Sequence, residues 1–228
     1  MARPIRRSQR IQTPFSYGIM HVIRKSYGRL TRLRLGNGTY GHRIIMEDKH
    51  LGELVRLAPK LTTLRIEIPT RFRKYTLHAL NSLEHLHFLH LSVNRQMHPF
   101  PQFKRVQSLG LGGTPKKGLE FLLGTAPQPS VRKLSLRGVK NMVSIDMDTL
   151  SENFENLLCL KITHCSTWDT VFHENCHRIM DSSRKLLRKL KFVHLDKTNL
   201  FCARFFANPH FLERFCPRVE HTWSLTLA

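Results

Sequence analysis

A short apolar phrase recurs along this chain and restricts what the chain can fold into. The phrase is an apolar residue, a leucine three positions later, and a third apolar residue two positions beyond that. It stands at Leu30-Leu33-Leu35, Leu61-Leu64-Ile66, Leu86-Leu89-Leu91, Val106-Leu109-Leu111, Val131-Leu134-Leu136, Leu157-Leu160-Ile162 and Leu187-Leu190-Phe192. The first positions are separated by 31, 25, 20, 25, 26 and 30 residues. A period of this size indicates stacked supersecondary units that share one core.

Each unit predicts a strand followed by a helix. The last two apolar positions of the phrase alternate, which is typical of a short strand with one buried face. Apolar stripes in the intervals predict helices, as at Leu51, Leu54 and Val55. Pro59 and Pro127 end such intervals, because proline stops a helix and favours extended chain. The sequence therefore predicts an α/β solenoid of about seven leucine-rich repeats.

The register of the third strand is ambiguous, since Leu83-Leu86-Phe88 also fits the phrase. We favour Leu86-Leu89-Leu91, because that choice puts Asn94 at the position where many repeats place a polar residue that satisfies loop backbone. A slip of register by an odd number of residues would turn every side chain of the strand to the other face.

Two regions flank the regular repeats. Residues 1–14 are basic and contain Pro4 and Pro14, and we predict a flexible arm. We assign residues 15–228 to the repeat domain, with a helical N-terminal cap whose apolar face is Ile19, Ile23 and Tyr27. Near the end, Cys216-Pro217 begins a degenerate last repeat that lacks the core leucines.

The repeats resemble those of F-box leucine-rich-repeat proteins over roughly residues 15–225. The resemblance rests on the period, on Cys165 after the sixth phrase, and on the proline that precedes several strands. It implies a horseshoe with parallel strands on the concave face and helices on the convex face. It also implies a substrate-receptor role in protein ubiquitination, although the F-box segment itself is not seen before Leu30.

The net charge of +21 favours an acidic partner, and it is unevenly distributed. Residues 1–114 carry +15 and residues 115–228 carry +6, and no acidic residue precedes Glu47. A field of this strength attracts nucleic acid, anionic lipid or an acidic protein.

Outward-facing strand positions gather part of this charge on one face. Side chains alternate along a strand, so the residues between the core leucines should point away from the core. Nine of the 21 such positions are basic, and Glu67 is acidic. The predicted partner-binding residues are Arg32, Arg34, Arg65, His90, Lys133, Arg137, Lys161, Lys189 and Lys191. We expect non-catalytic recognition of an acidic protein by this face.

Two alternatives remain open for the basic face. It could bind RNA or DNA electrostatically, but stacking aromatic rings are needed for most single-stranded readers and Phe88 stands alone among the outward positions. It could also be a solvated surface with no dedicated ligand. Histidines between His78 and His98 offer a further possibility, pH-dependent binding.

A zinc hydrolase is a remote alternative. His173-Glu174-Asn175-Cys176-His177 matches H-E-x-x-H, in which two histidines on one helix face bind zinc and the glutamate is a general base. The continuation that some of these enzymes carry is missing, because Met180 and Ser183 occupy the positions of its Gly and His. The glycines from Gly110 to Gly118 likewise lack the Lys-Ser/Thr of a phosphate loop. We expect no enzymatic activity, no cofactor and no metal.

The cysteines and the termini indicate an intracellular compartment. The five cysteines show no pairing pattern and no apolar run is long enough to cross a membrane. We therefore expect a cytoplasmic or nuclear protein, a monomer or part of a larger complex. Arg3, Arg6, Arg7 and Arg10 would also fit a mitochondrial presequence, which is the less favoured reading.

Overall fold

The structure is a computed structural model that describes residues 12–14, 17–35, 43–45, 48–68, 74–93, 101–113, 125–138, 150–163 and 192–196. Its elements are β1 (Gln12–Pro14), α1 (Tyr17–Lys25), β2 (Arg32–Arg34), β3 (Arg43–Ile45), α2 (Asp48–Leu57), β4 (Thr63–Ile68), a 3₁₀ helix (Lys74–Ser82), β5 (Phe88–Val93), β6 (Ser108–Gly113), β7 (Lys133–Arg137), β8 (Cys159–Thr163) and β9 (Phe192–Asp196). Residues 150–153 are also helical.

The fold is α/β and is organised by an open sheet of parallel strands. Seven strands lie side by side in chain order, β2-β4-β5-β6-β7-β8-β9. Each strand of this sheet therefore lies beside the next one along the chain, except that β3 is skipped, and β2 and β9 form the two edges. A separate pair is formed by β1 and β3. The predicted arm, residues 1–14, thus ends in a strand, because Gln12–Pro14 pairs with Arg43–Ile45.

The register of the sheet confirms the predicted alignment of six phrases. One row of partners runs through the second phrase leucines: Leu33, Leu64, Leu89, Leu109, Leu134 and Leu160. The pairing of Leu64 with Leu89 also settles the third strand in favour of Leu86-Leu89-Leu91. The buried side chains of this row include Leu64 and Leu89, both 0% exposed.

The prediction for the seventh strand was wrong in register. The sequence placed Leu190 beside Leu160, but the structure pairs Leu160 with Val193 and Ile162 with Leu195. Val193 and Leu195 alternate as well as Leu190 and Phe192 do, and a β-branched valine favours a strand. The shift of three residues puts Phe192, His194 and Asp196 at the positions assigned to Lys189, Lys191 and Val193.

The core lies on one side of the sheet, between the strand leucines and the helices. From α2 it receives Leu51, Leu54 and Leu57, as the apolar stripe predicted. From α1 it receives Met20 and Ile23. Tyr27 was expected on the same face, but α1 ends at Lys25 and this tyrosine is 63% exposed in the following turn. Burial of apolar side chains in one shared layer stabilises each unit against its neighbours.

The starts of five strands are tied to the preceding strand by the same forked backbone bond. One carbonyl accepts hydrogen bonds from two consecutive N–H groups of the next unit. At β4, Thr31 O accepts from the N–H groups of Thr62 (2.8 Å) and Thr63 (3.2 Å). The equivalent carbonyls for β5, β6, β7 and β8 belong to Thr62, His87, Gln107 and Arg132. Their recurrence gives the chain a structural repeat that is independent of side chains.

Candidate functional site

The face of the sheet opposite the core, called here the ladder face, consists of three rows of paired residues. The first row is Arg32, Thr63, Phe88, Ser108, Lys133 and Cys159. The second is Arg34, Arg65, His90, Gly110, Ser135 and Lys161. The third is Glu67, Ser92, Gly112, Arg137 and Thr163, and the backbone of β9 continues the three rows at Phe192, His194 and Asp196. These residues alternate with the buried leucines, which is why they share one face.

Seven of the nine predicted basic residues have ladder positions in the described chain, and they form two clusters separated by an uncharged centre. The first cluster, on β2 and β4, is Arg32, Arg34 and Arg65. The second cluster, on β7 and β8, is Lys133, Arg137 and Lys161. From β4 to β7 is three strand spacings, about 14 Å. The seventh residue, His90, lies on β5 between the clusters. Lys189 and Lys191 lie outside the described residues.

The two clusters are open to solvent. Arg32, Arg34, Lys133, Arg137 and Lys161 are exposed, and the remaining cation, Arg65, is half-buried.

Among the side chains that the structure describes, no ion pair joins these six cations to a carboxylate. The ion pair found there joins Arg24 to Glu53 at 2.7 Å, between α1 and α2. Arg34 and Arg65 are even direct register partners, and like charges on adjacent strands repel. Arg34 and Arg65 therefore gain no stabilisation from each other.

The centre of the face is a histidine that covers two glycines. The imidazole of His90 on β5 lies in the space that a side chain at Gly110, its partner on β6, would occupy. A Cβ atom built at Gly110 would overlap Nδ1 of His90, and one at Gly112 would lie 3.2 Å from Nε2. These glycines therefore stand in a strand because of the close approach of the ring, and not at a phosphate loop.

Burial keeps His90 neutral. Desolvation of the ring, followed by the positive charges of Arg65 and Arg137, lowers the pKa of His90 to about 4. One of the predicted cations of the face is thus an uncharged imidazole at neutral pH. Beside it, Phe88 is 36% exposed and gives the centre an apolar contact surface.

The acidic ladder position predicted at Glu67 is buried and not displayed. Its side chain is 7% exposed on the third row, next to Ser92. From β2 to β8 the face therefore presents exposed positive charge, and the Glu67 carboxylate is withdrawn from solvent.

Cys159 does not supply a reactive thiolate to this face. Burial raises the pKa of the Cys159 thiol, against the opposing effects of Lys133 and Lys161. The side chain is half-buried on the first row. A protonated thiol is a weak nucleophile, so the two adjacent lysines do not create a catalytic cysteine here.

Sequence reasoning missed the polar side chains that hold successive units together. Gln128 is 0% exposed; its Nε2 donates to Pro101 O (2.9 Å) and Ala126 O (2.7 Å), and its Oε1 accepts from Phe103 N (3.0 Å). Ser130 Oγ donates to Phe103 O at 2.7 Å. The sequence did contain a signal. Gln128 stands three residues before Val131, the first residue of its phrase, at a position that is apolar in the neighbouring units.

Motifs of a metalloenzyme are not tested by the geometry. His173 and His177 lie outside the described residues. Within the described ranges, no three His, Cys, Asp or Glu side chains come together as candidate metal ligands. The same part of the chain has no helix long and apolar enough to cross a membrane.

No protein-family model matches the chain, and no curated protein matches it.

Proposed function

We propose that this chain is a non-catalytic recognition protein of the leucine-rich-repeat type that binds an acidic protein through its ladder face. The observation that carries the proposal is the arrangement of exposed cations in two clusters, which form no ion pair with any side chain that the structure describes. Charge that repels itself in the free protein is offset when a complementary surface binds.

The centre of the face favours protein over nucleic acid. Between the clusters the described surface offers one aromatic ring, Phe88, beside the small residues Ser108 and Ser92. A reader of single-stranded nucleic acid usually presents several stacking rings among its cations. An acidic segment with an apolar residue between its carboxylates fits both clusters and the centre.

The repeat architecture supports this use of the sheet. Seven parallel strands in chain order, six of them joined by recurring forked bonds, form a continuous surface of the kind that solenoid proteins use for binding. The substrate-receptor role in ubiquitination rests on the resemblance of the repeats alone. Co-purification with cullin-type ligase subunits tests that narrower role.

The test is binding of a fluorescein-labelled polyglutamate peptide, followed by anisotropy. A ladder variant carries Arg34→Glu, Arg65→Glu and Lys161→Glu. A matched control carries the same number of reversals at three exposed residues: Lys25 at the end of α1, Arg29 in the turn that follows it, and Arg56 in the last turn of α2. We expect the ladder variant to lose roughly tenfold or more in affinity and the control to lose much less. Equal losses in both variants would overturn the proposal.

Nucleic acid is distinguished by salt and nuclease. Partners are captured from lysate by the unmodified protein and by the ladder variant, with and without nuclease treatment. A protein partner should stay bound after nuclease and be lost from the ladder variant. Release by nuclease, together with a steep fall of affinity for oligo(dT) as salt rises, would assign the face to nucleic acid instead.

A further inference from the structure

A second basic surface lies at the edge of the sheet where the strands begin. It is a groove of about 760 Å³ whose lining extends from the start of β5 to the start of β8. Three strand spacings correspond to about 14 Å, which an extended peptide of about four residues covers. The groove is therefore long enough for a segment of chain.

Hydrogen bonds between successive units fix the walls of this groove. Ser130 Oγ donates to Phe103 O at 2.7 Å, and Asn156 Nδ2 donates to Pro129 O at 2.9 Å. The backbone N–H of Arg132 donates to Gln107 O at 2.8 Å as part of a forked bond. A ligand would consequently meet walls that are already in place, which lowers the entropy lost on binding.

The charge of the lining favours an anionic ligand. Lys104, Arg105 and Arg132 are exposed and basic, and Glu155 is the acidic residue of the described lining. Arginine binds carboxylates through two parallel N–H donors, so Arg105 and Arg132 suit carboxylate groups. No Phe, Tyr or Trp belongs to the described lining, which removes the stacking platform that nucleic acid bases use.

The groove and the ladder face meet at the start of β7. Arg132 lines the groove, and the next residue, Lys133, stands on the first row of the ladder face. Lys133 and Arg132 are adjacent in the chain, so a peptide bound at the second basic cluster could continue directly into the groove.

We propose that this groove binds a carboxylate-rich peptide segment, the continuation of the acidic partner that occupies the ladder face. The inference rests on the proposed function, which it extends from a face to a face and an adjoining groove. Arg105 and Arg132 bind carboxylates, and Lys104 adds a positive charge at the same end of the sheet. The partner thus makes two separate contacts on one chain.

The experiment compares neutralised variants in the polyglutamate anisotropy assay. The groove variant is Arg105→Gln with Arg132→Gln, and the neutralised ladder variant is Arg137→Gln with Lys161→Gln. The control, Lys25→Gln with Arg56→Gln, removes the same charge far from both sites. Circular dichroism melting shows whether each variant remains folded. Because each substitution removes a charge-assisted hydrogen bond to a carboxylate, we expect each binding variant to lose roughly tenfold or more in affinity.

The outcomes separate the two proposals. Losses in both binding variants, with little change in the control, support the groove and the ladder face together. A loss of affinity in the neutralised ladder variant alone overturns the proposal for the groove and leaves the proposed function standing. Losses no larger than that of the control overturn both. If the groove variant loses affinity for oligo(dT) and not for polyglutamate, the groove is a phosphate-binding site and the peptide assignment is wrong.

Discussion

The imidazole of His90 occupies the place of a side chain at Gly110, its register partner on the neighbouring strand. The two residues are thus complementary: a ring on β5 and a missing Cβ on β6. This relationship lets the ring fill the space over Gly110 and Gly112, where it is buried and uncharged on a face that is otherwise mostly basic.

Gly110→Ala should destabilise the protein by about 1–3 kcal/mol, since the new methyl group overlaps the ring and forces it or the strand to move. Urea unfolding measures the loss. Gly52→Ala is the matched control with the opposite sign: it lies exposed in α2 with no atom near its added Cβ, and should stabilise by roughly 0.5–1 kcal/mol. The double variant with His90→Ala should recover much of the loss at Gly110. A full loss in that double variant would disprove the contact.

The free energy of unfolding should fall as the pH is lowered from 6.5 towards 4. In the unfolded chain His90 binds a proton near its ordinary pKa of 6.5, whereas in the folded protein its pKa is about 4. Between these values the unfolded state holds the additional proton, so acid favours unfolding. Above pH 6.5 this histidine does not lower the free energy of unfolding. Below its folded pKa of about 4 the loss is complete and amounts to about 3 kcal/mol. His90→Gln should flatten this part of the profile, and His85→Gln, an exposed site, should leave it steep.

Removal of a neighbouring cation should raise the pKa of His90. Burial is the main cause of the depression, and Arg65 and Arg137 contribute by charge. Arg65→Gln or Arg137→Gln should therefore move the imidazole titration part of the way back, as followed by NMR of the ring protons. Arg56→Gln is the control on α2. If the His90 titration is unchanged in both Arg65→Gln and Arg137→Gln, the two arginines do not contribute and burial alone lowers the pKa.

Gln128 should be one of the most sensitive polar positions. Gln128→Ala removes three hydrogen bonds, two of them buried, at a cost of about 3 kcal/mol. Gln128→Glu can still accept from Phe103 N but cannot donate while ionised, so we expect a larger loss at neutral pH than at acid pH. Asn156→Ala, which removes one exposed hydrogen bond, should cost about 1 kcal/mol. Chemical denaturation at several pH values distinguishes the three.

The strand register was predictable because a leucine pattern with a period of two fixes which side chains are buried. That argument located Leu64, Leu109 and Leu134 in one row and put Arg34 beside Arg65. It failed at β9, where two overlapping alternations offered two registers and the strand took the one containing Val193. When two overlapping segments alternate equally well, the residue pattern cannot decide which one forms the strand, because the length of the loop before the strand is free to vary.

Exposure on the ladder face was less predictable than position. An outward direction suggested solvent for His90 and Glu67, and both are buried. His90 is buried because Gly110 and Gly112 leave space on the neighbouring strand, and the ring fills that space. The hydrogen bonds of Gln128 were equally hidden, since they join residues 25 and 27 positions apart along the chain. Such contacts become visible only when neighbouring units are placed side by side.

The forked bonds at the strand starts involve only main-chain groups. Any amino acid except proline can supply both the N–H and the C=O that they need. Substitutions on the outward rows can therefore accumulate without altering the spacing of the strands, provided that the glycines under His90 are kept. A scaffold of this kind is evolvable: selection can rewrite its binding specificity one residue at a time while the architecture is inherited unchanged.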